Sequence, residues 1–242
     1  MKKFVISILT VGLLFSGLTA YAKTKYYGAS LCKKNSKYDC YKVKRGDSWK
    51  KLFPNKKERD LVRRVNRQNV RLRRGSTIAI PNKLIEMDYY ALSPFHLWIK
   101  PTGKKTIIYD PRKVAWAAYD KDGNLVKWGP AAGGNTWCSD VRRSCRTARG
   151  EFQVYRKGNK YCKSGKYPLP NGGAPMPFCM HFFRGFALHG SPTVPGYNAS
   201  HGCVRLFVPD AKWLNKNFIN LRDKNDPVKV VVLPYGKHKT KR

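Results

Sequence analysis

The chain has 242 residues and a formal net charge of +35, because 49 Lys and Arg residues face only 14 Asp and Glu residues. A charge this one-sided draws a protein to polyanions and argues against a solvated surface without a partner, although it says nothing about the fold. Composition favours two units. Residues 41–82 are dense in Lys and Arg, whereas residues 95–235 hold most of the aromatic residues, Gly and Pro.

Residues 1–22 have the pattern of a secretory signal peptide: two lysines, an apolar run and a small-x-small cleavage site at residues 20–22. The predicted mature chain begins at Lys23 and carries +33, which is +35 less the two lysines. An uncleaved anchor is the alternative, but the run is shorter than the roughly 20 residues that span a bilayer. No later stretch is long or apolar enough to be a membrane helix. We expect a secreted protein of the periplasm or cell envelope.

After an N-terminal segment at residues 23–40, residues 41–82 predict a β-α-α-β order. Strand-like alternation opens the segment, a Gly46-Asp47 turn follows, and Ser48 is placed to cap a helix. This opening resembles that of LysM modules, which bind glycans containing N-acetylglucosamine. The resemblance implies that Gly46, Asp47 and Ser48 bind glycan.

The LysM-like segment departs from its family in three places. Ser48 stands for the usual Thr, Trp49 replaces an aliphatic residue, and Pro54 shortens the first helix. The segment also carries fourteen Lys or Arg residues against three acids. This charge favours an anionic glycan or wall polymer as the ligand, and a basic helical spacer is the alternative. Residues 83–94 are predicted to be a linker.

From residue 95 onward, short β-like runs alternate with turns. An Asp122-Gly123 pair between two such runs predicts a hairpin. A short helix is expected at residues 209–217, with Asp210 in its first turn. Strands are expected at residues 96–99, 106–109, 114–119, 152–155, 185–188 and 228–233. The spacing is typical of an all-β sandwich or barrel-like sheet. Residues 236–242 form a basic tail.

A motif at residues 200–206 carries the chemistry. It reads Ser-His-Gly-Cys-Val-Arg-Leu and follows a His189-Gly190-Ser191 sequence. A thiolate is a nucleophile, and a nearby imidazole can take its proton and hold the resulting ion pair. The residues alone leave open a second interpretation, a buried Cys with two structural His.

The order of these residues resembles the active-site signature of L,D-transpeptidases of the YkuD type. Similar family patterns occur upstream, and the resemblance covers about residues 95–233. Ala148 replaces a usual Pro, and the gap between His189 and Ser200 is short for the family. Neither departure affects the nucleophile or the base. The resemblance implies a mainly β fold with a YkuD-like β-sandwich catalytic domain after the small LysM-like module.

The resemblance also implies roles for individual residues. Cys203 is the nucleophile, and His189 is the base, oriented by the carbonyl of Gly190. Backbone N–H groups around His201, Gly202 and Cys203 form the oxyanion hole. His201 also belongs to the catalytic set. Substrate contacts fall to Arg205, Ser200 and Tyr197. Arg205 suits a peptide carboxylate because its planar fork binds bidentately, and a structural salt bridge is its alternative role.

Three other histidines have no motif context. His96 and His181 are interpreted as structural or surface groups, and His238 belongs to the tail.

The implied reaction uses peptidoglycan. Cys203 attacks the carbonyl of the third residue of a tetrapeptide stem, D-Ala leaves, and a thioester forms. A stem amine then gives a 3–3 crosslink, water gives an L,D-carboxypeptidase, and a protein lysine attaches an envelope protein. A non-catalytic cationic wall-binding protein is a further alternative.

Anionic wall or envelope polymers are possible additional partners. Nucleic acid is disfavoured because no nucleic-acid module is present and the charge is spread along the chain.

Seven cysteines in an exported chain fit an oxidising compartment. If Cys203 is the catalytic thiol, six remain for three bridges, and the residues alone allow fifteen connectivities. Local pairing is the simplest hypothesis: Cys32–Cys40, Cys138–Cys145 and Cys162–Cys179. A metal site is the competing interpretation, but the spacings do not resemble structural zinc sites. We expect no metal and no cofactor.

Overall fold

The computed structural model describes residues 26–32, 37–84, 88–223 and 225–236. The predicted signal peptide, His238 and most of the basic tail lie outside these ranges. Within them, the structure contains no helix with the length and apolar character needed to cross a membrane.

The N-terminal part has the predicted strand–helix–helix–strand order, preceded by one more short helix. Ser48 accepts a hydrogen bond from the Lys51 N–H at 3.1 Å, as expected for a helix cap. The two strands pair antiparallel, with Tyr41 opposite Ile78. The elements are α1 (Tyr27–Leu31), β1 (Tyr38–Lys42), α2 (Trp49–Leu52), α3 (Lys56–Val65) and β2 (Thr77–Pro81).

Nine further strands form one mixed sheet. They are β3 (Thr106–Asp110), β4 (Ala115–Tyr119), β5 (Leu125–Ala132), β6 (Gly150–Gln153), β7 (Arg156–Lys157), β8 (Met180–Phe183), β9 (Phe186–Gly190), β10 (Val204–Leu206) and β11 (Lys229–Val232). Their order across the sheet is β6-β11-β3-β4-β5-β10-β9-β8-β7. The mainly β prediction is confirmed.

The sheet curls until its two ends approach each other. Phe152 on the edge strand β6 packs against Phe182 and Phe183 on β8, with ring centroids 5.5 and 4.7 Å apart. The core enclosed by this curl contains buried residues from both ends, including Val230 and Leu188. The expected sandwich is therefore realised as one sheet folded over its own core.

Two local predictions need correction. Residues 96–99 form no strand, because their only ladder contact is an isolated bridge between Trp98 and Asn124. The predicted helix at residues 209–217 is α4 (Val208–Trp213), which continues as a π-helical turn at Leu214–Phe218. The predicted hairpin is confirmed: β4 and β5 pair around Gly123, which has φ +83°.

The two units share a buried cluster in addition to a core of their own. One buried cluster joins Leu61 and Val65 of α3 to Ala117 and Trp128 of the large sheet. The predicted linker also packs, since the Tyr89 ring stacks on Trp128 at 5.2 Å. Apolar surface from α3 is buried directly on the sheet, a contact that composition does not reveal.

A buried ion pair ties α3 to α4. Both guanidinium Nη atoms of Arg64 donate to the Asp210 carboxylate, at 2.9 and 2.8 Å. Asp210 is fully buried, and the Arg64 side chain is 9% exposed. The guanidinium also lies over the rings of Tyr89 and Phe207. Arg64 Nε also bonds to the half-exposed Asp60 at 2.7 Å, whereas the buried Asp210 carboxylate depends on Arg64 for its hydrogen bonds.

We expect Asp210→Ala to lower the free energy of unfolding by about 3–5 kcal/mol, because it removes the buried carboxylate of the pair and leaves Arg64 with the half-exposed Asp60, at 2.7 Å, as its remaining ionic partner. Chemical denaturation followed by tryptophan fluorescence measures this. Glu151→Ala is the matched control: it removes an exposed partner of Lys229, at 2.7 Å, and should cost about 1 kcal/mol or less. Equal losses of unfolding free energy in the two variants would contradict the importance of the buried Arg64–Asp210 pair.

The disulfide hypothesis is confirmed in all three pairs. Cys32 bonds Cys40, Cys138 bonds Cys145, and Cys162 bonds Cys179. Cys203 is the free cysteine. Each bridge closes a short polar loop, and two of these loops border the cavity described below.

Thiol labelling tests the redox state. Protein from an oxidising compartment should take up one label per chain after denaturation without reductant, at Cys203. Three or more labels would show that the bridges are not formed in solution. Reduction should lower the melting temperature, since closing a short loop with a disulfide contributes roughly 2–4 kcal/mol to stability.

Candidate active site

Parallel pairing of β9 with β10 assembles the site. Arg205 is the register partner of His189, and Cys203 directly precedes β10. Because alternate residues of a strand point to one face, Cys203 and Arg205 share the face that carries His189. The residues that the sequence predicted to work together are therefore neighbours on adjacent strands.

These three side chains line one cavity of about 610 Å³. Other parts of its wall come from the Cys162–Cys179 loop, from His201 and from residues 191–193. Among the residues that the structure describes, no Asp or Glu lines the cavity, whereas five cationic side chains do: Arg143, Arg156, Lys163, Lys166 and Arg205. The cavity therefore favours an anionic ligand.

His189 is buried and has a defined tautomer. Its Nδ1 lies 2.9 Å from the Gly190 carbonyl oxygen, as expected, and since a carbonyl only accepts, Nδ1 carries the proton. Nε2 is then the free basic nitrogen. Burial lowers the pKa of His189 to about 4, the Gly190 hydrogen bond opposes this shift, and Arg205 adds to it. The imidazole is therefore neutral at pH 7.

The Cys203 thiol lies between two backbone groups. Its Sγ is 3.6 Å from the Gly185 carbonyl oxygen. Burial raises the pKa of Cys203, opposed by the Ala187 N–H and by Arg205. The resting site therefore favours a neutral thiol beside a neutral imidazole. The ion pair expected from the sequence is disfavoured because both groups are desolvated.

Hydrogen bonds from Ser200 and Thr147 hold the turn before Cys203. Ser200 is buried, and its hydroxyl donates to the Cys203 carbonyl and accepts from the Gly202 N–H at 3.0 Å. Thr147 donates to the Gly202 carbonyl at 2.7 Å. Gly202 has φ +134°, and a Cβ there would lie 2.6 Å from the Phe186 ring, so glycine is required.

These bonds engage groups of two predicted site residues. The Gly202 N–H already has an acceptor, so it is not free to serve as an oxyanion donor. Ser200 lines the cavity, but its hydroxyl is engaged in shaping the turn rather than offered to a ligand.

His201 faces a carboxylate that the sequence did not reveal. Its Nε2 is 2.7 Å from Oδ2 of Asp140, and its ring stacks on Tyr167 at 4.3 Å. The hydrogen bond with His201 lowers the pKa of Asp140. Asp140 is 61 positions away in the chain, inside the Cys138–Cys145 loop, and the disulfide pairing was the one signal that pointed towards this loop.

Arg205 and Tyr197 have different surroundings. Arg205 lines the cavity, and Nη1 lies 3.5 Å from the Thr193 carbonyl oxygen. None of the described carboxylates forms a salt bridge with Arg205, which argues against the structural alternative. Tyr197 is not among the cavity residues. Its ring packs edge-on against Tyr26 at 5.7 Å, and its expected substrate contact stays a prediction.

His181 lies in the cavity wall, a position that the sequence did not indicate. It is buried in the cavity wall opposite Ala187, whose backbone N–H contacts the thiol. Arg156 Nη2 lies 3.1 Å from His181 Nε2, and arginine only donates, so the proton of His181 is on Nδ1. Burial and Arg156 lower the pKa of His181. His96 is exposed, as predicted for a surface residue.

The predicted glycan-binding residues build a turn in the N-terminal part. Gly46 has φ +83°. Asp47 accepts hydrogen bonds from the Lys44 N–H at 2.7 Å and from the Tyr41 hydroxyl at 2.9 Å. The Lys44 N–H bond is the main cause of the lowered pKa of Asp47. Ser48 caps α2, so sugar contact by these residues stays a prediction.

One group of side chains has the composition of a metal site. Ligand atoms of Cys138, Cys145 and His201 lie within 4.8 Å of one another. The two sulfurs are bonded to each other, so neither offers the thiolate that a metal would need.

Comparison with known proteins agrees with this geometry. The family model for the YkuD L,D-transpeptidase catalytic domain matches residues 104–231, more than half of the chain. A search of curated proteins finds no match.

Several solved structures are similar. An L,D-transpeptidase from Xylanimonas cellulosilytica is 24% identical, with a TM-score of 0.48 over 66% of this chain and 72% of that one. One from Mycobacterium smegmatis is 21% identical, with a TM-score of 0.41 over 54% and 59%. L,D-transpeptidase 3 from Mycobacterium tuberculosis, in complex with a faropenem-derived adduct, has the same identity and TM-score over 54% and 60%. On the strength of the family match, the chain belongs to the YkuD family of L,D-transpeptidase catalytic domains.

Proposed function

We propose that the protein is a cysteine-dependent L,D-transpeptidase that acts on peptidoglycan tetrapeptide stems through a thioester at Cys203. The observation that carries the proposal is the free thiol of Cys203 on the same strand face, and in the same cavity, as a buried histidine with a fixed tautomer. The three disulfides support action outside the cytoplasm.

In the first step, Nε2 of His189 removes the thiol proton while Sγ attacks the carbonyl carbon of the third stem residue. Because thiol and imidazole both start neutral, proton transfer accompanies the attack, as in general base catalysis. The tetrahedral intermediate collapses, the C–N bond to D-Ala breaks, and the imidazolium returns its proton to the departing amine. A thioester remains on Cys203.

In the second step, an amine attacks the thioester carbonyl and transfers a proton to His189. The C–S bond breaks, and the proton returns to the sulfur. A stem amine as acceptor gives a 3–3 crosslink. We favour this acceptor, while water or an envelope-protein lysine would use the same thioester.

We assign the oxyanion donors to the backbone N–H groups of His201 and Cys203. Gly202 lies between them, and its own N–H is held by Ser200. Fixing Gly202 this way orients the flanking peptide groups before the substrate binds. Preorganised donors of this kind stabilise the tetrahedral intermediate without reorganisation.

The cationic wall suits the carboxylates of the stem peptide. Arg205 lies beside His189 and Cys203, so a carboxylate on its guanidinium would be held next to the reacting carbonyl. The basic LysM-like segment is proposed to bind the glycan or an anionic wall polymer. Together they would hold a single peptidoglycan strand at two points.

The decisive experiment is muropeptide analysis after incubating the mature protein with tetrapeptide-rich sacculi. Cys203→Ala should form no 3–3 dimers and release no D-Ala, because it removes the nucleophile, while still binding sacculi. Sacculus binding by the wild type with neither dimers nor D-Ala release would favour the non-catalytic wall-binding alternative. Tripeptides without dimers would identify the carboxypeptidase.

His189 and His181 form a matched pair of buried cavity histidines. His189→Ala should reduce turnover by about 10²-fold or more, within the range that a general base contributes. His181→Ala should cost far less, because its Nε2 is already turned to Arg156. Steady-state kinetics of D-Ala release compares the two variants. Similar losses would show that the base is wrongly assigned.

The pH dependence follows from the lowered pKa of His189, about 4. The neutral base persists well below pH 6.5, so acylation of Cys203 by a carbapenem should stay constant from neutral pH downward and fall near pH 4. Intact-mass spectrometry gives the rate at each pH. Arg205→Gln should move this acidic limb to higher pH, since the guanidinium lowers the pKa of His189. A wild-type acylation rate that already falls near pH 6.5 would contradict the argument that burial lowers the pKa of His189.

A further inference from the structure

The segment between the base and the nucleophile forms one wall of the cavity. Residues 191–193 line it directly. Ser191 follows Gly190, whose carbonyl orients His189, and the Ser191 N–H donates to the Leu206 carbonyl at 2.8 Å. At the far side, the Thr193 carbonyl faces Arg205. Any shift of this wall therefore reaches both the base and the anion-binding arginine.

Asn69, from the N-terminal part of the chain, holds this wall with three hydrogen bonds. Its Nδ2 donates to the Ser191 carbonyl at 2.9 Å, and its Oδ1 accepts from the Val194 N–H at 2.8 Å. Its backbone N–H donates to the Val194 carbonyl at 2.9 Å. One residue thus satisfies polar groups on both sides of the cavity-lining stretch.

Neighbouring contacts extend the same attachment. Gln68 forms a bridge with Pro195, and the Tyr27 N–H donates to the Gly196 carbonyl at 3.0 Å. The segment from residue 191 to residue 197 is therefore bound along its length by the N-terminal part.

Asn69 is itself anchored. Its carbonyl accepts from Arg63 Nη2 at 3.1 Å, and α3, which carries Arg63, is tied to α4 by the Arg64–Asp210 pair. Because buried ion pairs and packed cores resist small displacements, the position of Asn69 is set by the catalytic domain as well as by its own module.

We propose that Asn69 is a positioning residue for the active site, which fixes the 191–194 wall and, through it, the orientation of His189 and Arg205. The inference rests on the proposed function, which gives His189 and Arg205 their roles. Its test measures the reactivity of the Cys203 thiol, which can be followed without that function. Asn69 touches neither the thiol nor the cavity; it acts through the carbonyl of Ser191 and the N–H of Val194.

The test compares three variants. Asn69→Ala removes both side-chain bonds to the wall. Asn69→Asp keeps an acceptor for the Val194 N–H but cannot donate to the Ser191 carbonyl. Asn66→Ala is the control, because the Asn66 side chain makes its bonds to Val62 and Ala79 inside the N-terminal part.

We expect Asn69→Ala to slow carbapenem acylation of Cys203 by about 10- to 100-fold, the size of effect that small misplacement of reacting groups produces. Asn69→Asp should lie between this variant and the wild type. Asn66→Ala should lower the melting temperature but leave the rate within about twofold, measured well below its transition. Equal rates in Asn69→Ala and the wild type, or equal losses in Asn69→Ala and Asn66→Ala, would overturn the proposal.

Alkylation of Cys203 by iodoacetamide separates this proposal from the function. Alkylation requires the thiol and its base but no peptidoglycan chemistry. If the wild type makes no crosslinks and resists carbapenems, the proposed function fails, yet Asn69→Ala should still change the alkylation rate and its acidic limb. An alkylation profile identical to the wild type in Asn69→Ala would reject the positioning role whatever the enzyme activity.

Discussion

The parallel contact between β9 and β10 is the constraint on which the site depends. Parallel neighbours require a crossover rather than a tight turn, so the chain must leave the sheet after His189 and return at Cys203. The register then decides which side chains meet. A slip of one residue would turn Cys203 to the opposite face from His189. The leaving segment also becomes a cavity wall, which explains why so many contacts hold it.

Burial decides the protonation state in this site. Five cations around the cavity favour a thiolate, and Arg205 does lower the pKa of Cys203, but desolvation is the larger effect and raises it. The same desolvation keeps His189 uncharged. Both groups are therefore uncharged at rest. The cationic wall is left to attract an anionic ligand.

Local signals in the sequence predicted local structure well. The Asp122-Gly123 pair located a hairpin, the alternation around Tyr41 located β1, and an odd cysteine count separated Cys203 from three bridges. Contacts between distant positions had no local signal. Asp140 reaches His201, and Arg64 reaches Asp210, only after the chain has folded. The place of His181 in the cavity wall was missed because it depends on the register between β8 and β9.

The packing of α3 on the large sheet has a consequence for how such a chain can evolve. Exchange of whole domains by recombination usually works where a flexible linker joins two independent cores. Here a recombination point between residues 83 and 94 would uncover Trp128 and separate it from the Tyr89 ring that stacks on it. It would also leave the Asp210 carboxylate buried without Arg64. The N-terminal unit is therefore inherited with its catalytic partner, and changes in one must be matched by changes in the other.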